Sequence, residues 1–338
     1  MKGLWLAGFM RVTVHSYNIL SSQLATKGFF PQCQPAYLQS NYRLGKVLQK
    51  LEESVESKAI ICLQEVSVDW VSKFSRFFTE SGYNFIPSLY GQMGTTIAYP
   101  NKRYNLLNCD ITCIAKTKDW NVNSNFFQKF FHALKQKLFG ISINGNENPW
   151  IASKLRNNTL IHCKLLDQQT GQAICVANYH MPCAFKNPPV MVIHGALAAQ
   201  HVQKLSGTLP YIFAGDFNFK PDSTPYQLYT GAGVPTNHPD CPPPLYPGDS
   251  WSPELPSGPM KSAYFTFNNK EPEYTTYTGS LPSFVGTLDY IFHSSHFLPT
   301  EVVPIPEFTE VLPNENEPSD HFLIGASFHY EPVPLPAT

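Results

Sequence analysis

Six strand-like runs in this sequence end in residues that can bind a cation or move a proton. "SYNIL" supplies Asn18, "LQEV" Glu65, "NYHMP" His180, "AGDFNFKPDS" both Asp216 and Asn218, "GTLDYIF" Asp289, and "PSDHFLIG" Asp320 with His321. Taken singly, each is an ordinary strand end with a turn after it. The set is another matter, because polar groups at the ends of neighbouring strands project into one cleft while the apolar strand bodies hold the core. Glu65, Asp320 and the side-chain amide of Asn18 are hard oxygen donors with no cysteine among them, which suits Mg2+ or Mn2+ rather than zinc. A carboxylate beside an imidazole fixes its tautomer and raises its pKa, the service Asp289 would give His321. Asp216 is then available to orient or deprotonate a water, and Asn218 to donate to a phosphoryl oxygen as charge develops there. With His180 as a second proton-transfer group, these parts make up a metal-assisted hydrolase of phosphate esters.

The elements that must carry these residues are readable from periodicity. Residues 11–19 alternate as a strand does, and 59–65 is an apolar run ending in a carboxylate. Leu44, Val47, Leu48, Leu51 and Val55 recur at helical spacing behind Ser40 and Asn41, which are favourable N-cap types. Helices are also expected over 68–81 and 189–205, and strands over 83–87, 95–99, 106–115, 159–166, 173–179, 211–214, 288–292 and 322–328. Strands this numerous, with interspersed helices and mixed hairpin and crossover spacings, predict an α+β sandwich of two packed sheets with helices outside. The expected organisation is a short extension over 1–11, one domain over 12–330 and a tail over 331–338. Two segments interrupt it. Residues 235–259 hold nine prolines and should form a long surface loop. Residues 123–140 place Phe126, Phe127, Phe130, Phe131, Leu134 and Leu138 on one helical face, to pack on the core, cover a cleft or meet a lipid or partner.

Composition narrows the class. In 338 residues, 43% hydrophobic and 14% aromatic, there is apolar material for one large core or two small ones. A net charge of -1 excludes a histone-like cation or an acidic tail, so a nucleic-acid partner would need a local groove. Eight cysteines form no CxxC pair and several sit in apolar strand-like runs, the pattern of reduced thiols in a reducing, cytoplasmic setting. The first residues carry too short an apolar run for a secretion leader, and no stretch of 18 apolar residues predicts a membrane span.

In this order, an Asn, "QE", a strand-end His, "GDFN", "LDYI" and "SDH" resemble the endonuclease/exonuclease/phosphatase superfamily with the deoxyribonuclease I-like fold. The resemblance runs from about Val12 to Phe328. It implies a four-layer α/β sandwich of two mixed sheets flanked by helices, and a Mg2+-dependent enzyme. "NYRLGKVLQKLEE", "DFNFKPDSTPYQLYTGAG", "MKSAY" and "YTTYTGSLPSFVGTLDYIF" are similar to the branch containing the deadenylases, nocturnin, the angel proteins and the 2',5'-phosphodiesterase. Carried over by motif, the resemblance makes Glu65 the principal metal ligand with Asn18 and Asp320 nearby. It makes Asp216 and Asn218 the pair aligning water and steadying the transition state. His321, polarised by Asp289, and His180 then flank the scissile phosphate, and which of the two is acid and which base is left open. Phe284 matches an aromatic that stacks on adenine.

Departures accompany the matches. Deadenylases often carry a leucine-rich repeat region before the first strand; this chain starts almost at that strand, so recruitment to a large deadenylation complex is not expected. Behind His180, "MPCAFKNPP" delays the first positive charge to Lys186, assigned to substrate contact, and Lys154, Arg156, Lys220 and Lys261 also flank motif strands. The expected substrate is RNA or a related phosphodiester attacked from its 3' end, 2',5'-linked oligoadenylate included. A small phosphate ester, such as a dinucleotide 2'-phosphate, a sphingomyelin-type lipid or an inositol phosphate, is the alternative. A DNA endonuclease and a non-catalytic binding module stand behind those two.

Overall fold

A computed structural model describes residues 10–120, 148–231, 233–246, 248–279, 283–308 and 310–331. The helix expected over 123–140 lies outside these residues, as does most of both expected terminal segments. In chain order the first half contains β1 (Met10–Asn18), α1 (Ser40–Glu56), β2 (Ile60–Ser67), α2 (Val71–Glu80), β3 (Tyr83–Tyr90), β4 (Met93–Pro100), β5 (Tyr104–Cys113) and α3 (Pro149–Lys154). The second contains β6 (Thr159–Asp167), β7 (Gln172–His180), α4 (Pro188–Ser206), β8 (Tyr211–Asp216), α5 (Thr224–Thr230), β9 (Lys261–Ser262) and α6 (Ala263–Asn268). It closes with β10 (Thr276–Thr278), β11 (Phe284–Gly286), β12 (Asp289–His293), β13 (Phe297–Val302) and β14 (Ile324–Tyr330).

Two six-stranded mixed sheets result, ordered β13-β14-β1-β2-β4-β3 and β5-β6-β7-β8-β12-β9, and β10-β11 forms a small separate ribbon. Between the sheets, Val14, Ile60, Cys62 and Ile97 of the first meet Ile161, Val176, Ile212 and Ile291 of the second. Outside the first sheet, Leu44, Val47 and Leu51 of α1 and Phe74 and Phe78 of α2 cover Ile61 and Leu63. Outside the second, α4 packs Val190, Ile193, Leu197 and Val202 with Leu160, Tyr179 and Phe213. That is helix, sheet, sheet, helix. The central strands are therefore buried on both faces and read as unbroken apolar runs, each large side chain contributing on the order of 1.5–3 kcal/mol.

Local chemistry explains the element ends. α4 begins with prolines at its first turn, where the missing N–H breaks no helical bond, and stops at Gly207, whose φ is 59°. α1 departs from the N-cap expectation: Gln39 is the capping residue and its side chain makes no capping bond, while Ser40 is already helical. Its hydroxyl is engaged elsewhere, accepting from Trp70 Nε1 at 2.9 Å. Residues 235–259, where described, contain no helix or strand.

Candidate active site

Register puts the polar strand ends side by side. In the second sheet Asp216 at the end of β8 is the direct partner of His180 on β7 and of Asp289 on β12. In the first sheet Asn18 is the partner of Gln64, next to Glu65. Glu65 owes its direction to a bulge: β2 takes one more residue than β4 between Leu63 and Val66, and Glu65 adopts φ 58°. That extra residue lets Gln64 turn inward, donating to Asn178 Oδ1 across the sheets at 2.8 Å, while Glu65 turns to the cleft. Beyond β8 the alternation of "DFNF" does the same sorting. Phe217 and Phe219 enter an aromatic cluster with Tyr229, Tyr290 and Phe292. Asp216 and Asn218 are left to the cleft, Asn218 at φ 55°.

The side chains then meet across the two sheets. Asn18 Nδ2 donates to Glu65 Oε1 at 3.1 Å and to Asp216 Oδ2 at 2.9 Å. Its Oδ1 accepts from Leu20 N at 3.0 Å, so the amide ties the two carboxylates together with its nitrogen, where the sequence reading expected an oxygen ligand. Glu65 Oε2 accepts from Ser21 N at 2.9 Å. His180 Nε2 lies 3.6 Å from Asp216 Oδ2 and 3.9 Å from Glu65 Oε1. His321 Nε2 lies 3.8 Å from Asp216 Oδ2, and its Nδ1 is 2.8 Å from Asp289 Oδ2. Asn218 N donates to Asp216 Oδ1 at 2.9 Å, and Asn218 Nδ2 to Met181 O at 2.8 Å, leaving one amide N–H of Asn218 over.

Burial sets the protonation. For His321 burial opposes the charged form, but Asp289 and then Asp216 outweigh it and raise the imidazolium pKa well above its ordinary value. Asp320 is pushed up to about 6, first by burial, with His321 opposing and Glu65 adding to the rise. Burial also pushes the Tyr90 phenol up, helped by the charges of Glu65 and Asp216. Tyr90 OH sits 3.2 Å from His180 Nδ1. A phenol that keeps its proton can donate to Nδ1, and the tautomer that accepts it carries the imidazole N–H on Nε2, facing the two acids.

Several partners carried no sequence signal. Thr275 Oγ1 donates to Asp289 Oδ2 at 2.6 Å and accepts from Leu288 N and Asp289 N at 3.0 and 3.1 Å. Asn158 Nδ2 holds His180 O at 2.9 Å, and Ser319 Oγ holds Asn18 O at 2.7 Å. Hydroxyls and amides in loops are too common to single out without their neighbours. Phe284 is half-buried on β11 with the Lys220 ammonium 5.4 Å from its ring centre. Lys186 is exposed, 5.8 Å from the Phe185 ring centre, and makes no hydrogen bond or ion pair with the cluster.

Two groupings could hold a cation. Asp216, Asp289 and His321 offer ligand atoms within 4.8 Å of one another. There Asp289 Oδ1 is buried without a hydrogen-bond partner, but Asp289 Oδ2 and His321 Nδ1 are engaged with each other, and a charged imidazolium repels a cation. On the other flank Asp320 Oδ1 is buried with no hydrogen-bond partner and stands in the field of Glu65. A hard cation beside those two carboxylates would satisfy the orphaned oxygen, so the residues present fit one.

Two mixed sheets layered between helices, with carboxylates, amides and imidazoles converging at their joint rim, define a family as well as a site. The chain belongs to the Endonuclease/Exonuclease/phosphatase family, which residues 16–321 match. Within it, the chain is 29% identical over 335 residues to 2',5'-phosphodiesterase 12 of Rattus norvegicus, covering 91% of this chain and 50% of that protein. It is 26% identical over 361 residues to Carbon catabolite repressor protein 4 homolog 1 of Arabidopsis thaliana, covering 95% and 58%. The chain thus spans about half the length of the curated relatives it matches. Among solved structures, ANGEL2, a 2',3'-cyclic phosphatase held with adenosine-2',3'-vanadate, superposes with a TM-score of 0.67 at 20% identity, covering 95% and 96% of the two chains. The human nocturnin catalytic domain with bound sulfate gives 0.61 at 19%, covering 95% of each. These likenesses show the shared fold.

Proposed function

We propose that this chain is a Mg2+-dependent phosphodiesterase that removes nucleotides from the 3' end of RNA, with adenylate tracts and 2',5'-linked oligoadenylate as its substrate class. The observation that carries the reading is the line Asp289–His321–Asp216, at 2.8 and 3.8 Å, set against Glu65 and Asn18. Glu65 and Asp320 would hold the cation, with Asn18 keeping Glu65 toward Asp216; a bound Mg2+ supplies positive charge to the phosphoryl oxygens. Asp216 accepts the proton of the attacking water as the water oxygen bonds to phosphorus. His321, kept cationic by Asp289, donates from Nε2 to a non-bridging oxygen, and the remaining N–H of Asn218 adds a second donor. The bond from phosphorus to the leaving oxygen breaks, and His180 Nε2–H supplies the proton to that oxygen. Phe284 stacks on the base, and Lys186 meets the polynucleotide backbone beyond the scissile phosphate.

The free state of all eight cysteines supports a reducing, cytoplasmic setting. No helix among the described residues is long and apolar enough to cross a membrane. The test incubates the purified chain with Mg2+ and a panel: oligo(A), 2',5'-oligoadenylate, RNA ending in a 2',3'-cyclic phosphate, NADP(H), sphingomyelin and abasic DNA. Glu65→Ala and EDTA serve as controls. Shortening of the adenylates that both controls abolish is the expected result. Turnover that survives EDTA, or a folded chain that leaves both adenylates intact, would remove the reading.

A further inference from the structure

The segment "NYRLGKVLQKLEE" contributes nothing to the cleft directly, yet α1 turns two of its cations toward the 19–21 turn and the loop that carries Asp320. Arg43 is fully buried and pairs with no carboxylate among the described residues. Its guanidinium grips main chain instead, with Nη2 on Ile19 O and Leu20 O at 2.5 Å each and Nε on Pro318 O at 2.7 Å. Nη1 is buried without a hydrogen-bond partner, and the group lies 5.3 Å from the Trp70 ring centre.

What those carbonyls belong to is informative. Leu20, at φ 53°, occupies the left-handed region that a branched side chain seldom adopts, so something must hold it there. In that conformation Leu20 N reaches Asn18 Oδ1 and Ser21 N reaches Glu65 Oε2. Pro318 leads into Ser319, which bonds Asn18 O, and then Asp320. One guanidinium therefore fastens both the turn that holds Glu65 and the loop that carries Asp320. Lys50, two turns further along α1, pairs with Glu317, which also accepts from Tyr17 OH at 2.5 Å. Burial lowers the Arg43 pKa to about 10, with Tyr17, Asp320 and Glu65 opposing the fall. It stays charged at neutral pH.

We infer that Arg43, seconded by Lys50, is a positioning residue for the cation site: it sets the 19–21 turn that aims Asn18 and Glu65, and ties that turn to the loop presenting Asp320. The inference rests on the proposed cation binding and deepens it. A flexible ammonium cannot span three carbonyls in two loops as a planar fork does, so Arg43→Lys keeps the charge and loses the geometry.

The test reads Mn2+ binding by electron paramagnetic resonance without substrate, with thermal melts in EDTA as the folding check. Folded Arg43→Lys is expected to bind Mn2+ about 10-fold more weakly or worse, the range seen when groups supporting a ligand are lost. Wild-type affinity in that variant would overturn the inference, whereas failure of the unaltered chain to bind Mn2+ would overturn the proposed function itself. Should Arg43→Lys not fold, Lys50→Gln decides, because Lys50 is partly exposed and its loss frees only the Glu317 loop. Weaker Mn2+ binding at an unchanged melting temperature then supports the brace. Unchanged binding there would leave Arg43 a core residue and end the proposal.

Discussion

Under the proposed mechanism, His321 serves a phosphoryl oxygen only while Asp289 keeps it charged and aimed. Asp289→Asn preserves the shape and removes the charge that raises the imidazolium, so the proton should be lost near the ordinary histidine range. The expected outcome is a kcat lower by about 10²–10⁴ and an alkaline limb that moves down toward pH 6.5 from well above it. Rates measured from pH 5.5 to 9 check this, and an alkaline limb that stays in place would contradict the charged-donor role. Sequence exposed this pair because acids and imidazoles at apolar strand ends are chemically conspicuous. Thr275, whose hydroxyl meets Asp289 twice and Leu288 N once, was invisible, since nothing distinguishes it from its neighbours "YTTYTG" until β10 is folded against the site. If Phe284 stacks on the base as proposed, Phe284→Ala should slow oligo(A) cleavage more than oligo(U) cleavage, and equal losses on the two would retire adenine stacking.

At the level of elements, the contact between β7 and β8 fixes His180 against Asp216, and Gly215 is what lets them close. A Cβ at Gly215 would stand 1.9 Å from Tyr179 O and 3.0 Å from its carbonyl carbon, both backbone atoms that cannot rotate away. Gly215→Ala must therefore push β8 off β7. A destabilisation of about 3 kcal/mol or more, seen in denaturant melts, should come with a fall in kcat even in the fraction that remains folded. A variant with wild-type stability and turnover would show the strands free to adjust. The long strands were legible because burial on both faces leaves an unbroken apolar run. β9, β10, β11, β13 and the short helices α3, α5 and α6 were not, because two to seven residues hold too few periods for alternation to register. The bulge at Glu65 was likewise hidden: "IICLQEVS" has the composition of a regular strand, and the irregularity exists only against β4.

The whole molecule brings Glu65 of β2 beside Asp320 of the loop before β14, segments far apart in the chain, so a cation held there would bind the folded chain and not the unfolded one. Such a ligand raises stability by about 2.7 kcal/mol at 100 times its dissociation constant. The layered sandwich behind this was legible from strand count and spacing, but which loops face each other across the rim depends on how the sheets are stacked. pH sets the size of the effect through Asp320. Its folded pKa, about 6, lies above the ordinary 3.8, so its contribution to metal-free stability is full below pH 3.8 and lost as pH rises through 6. At neutral pH the metal-free fold thus carries a buried, ionised carboxylate at a cost, and a cation relieves that cost. Below pH 6 the cation must displace the proton first, and affinity drops about tenfold per unit. The rise in melting temperature on adding Mg2+ should accordingly be largest at pH 7–8 and shrink through pH 6 toward 5. Melts in Mg2+ and in EDTA across that range measure it, and a rise independent of pH would take Asp320 out of the cation site while leaving Glu65 and the His321 line untouched.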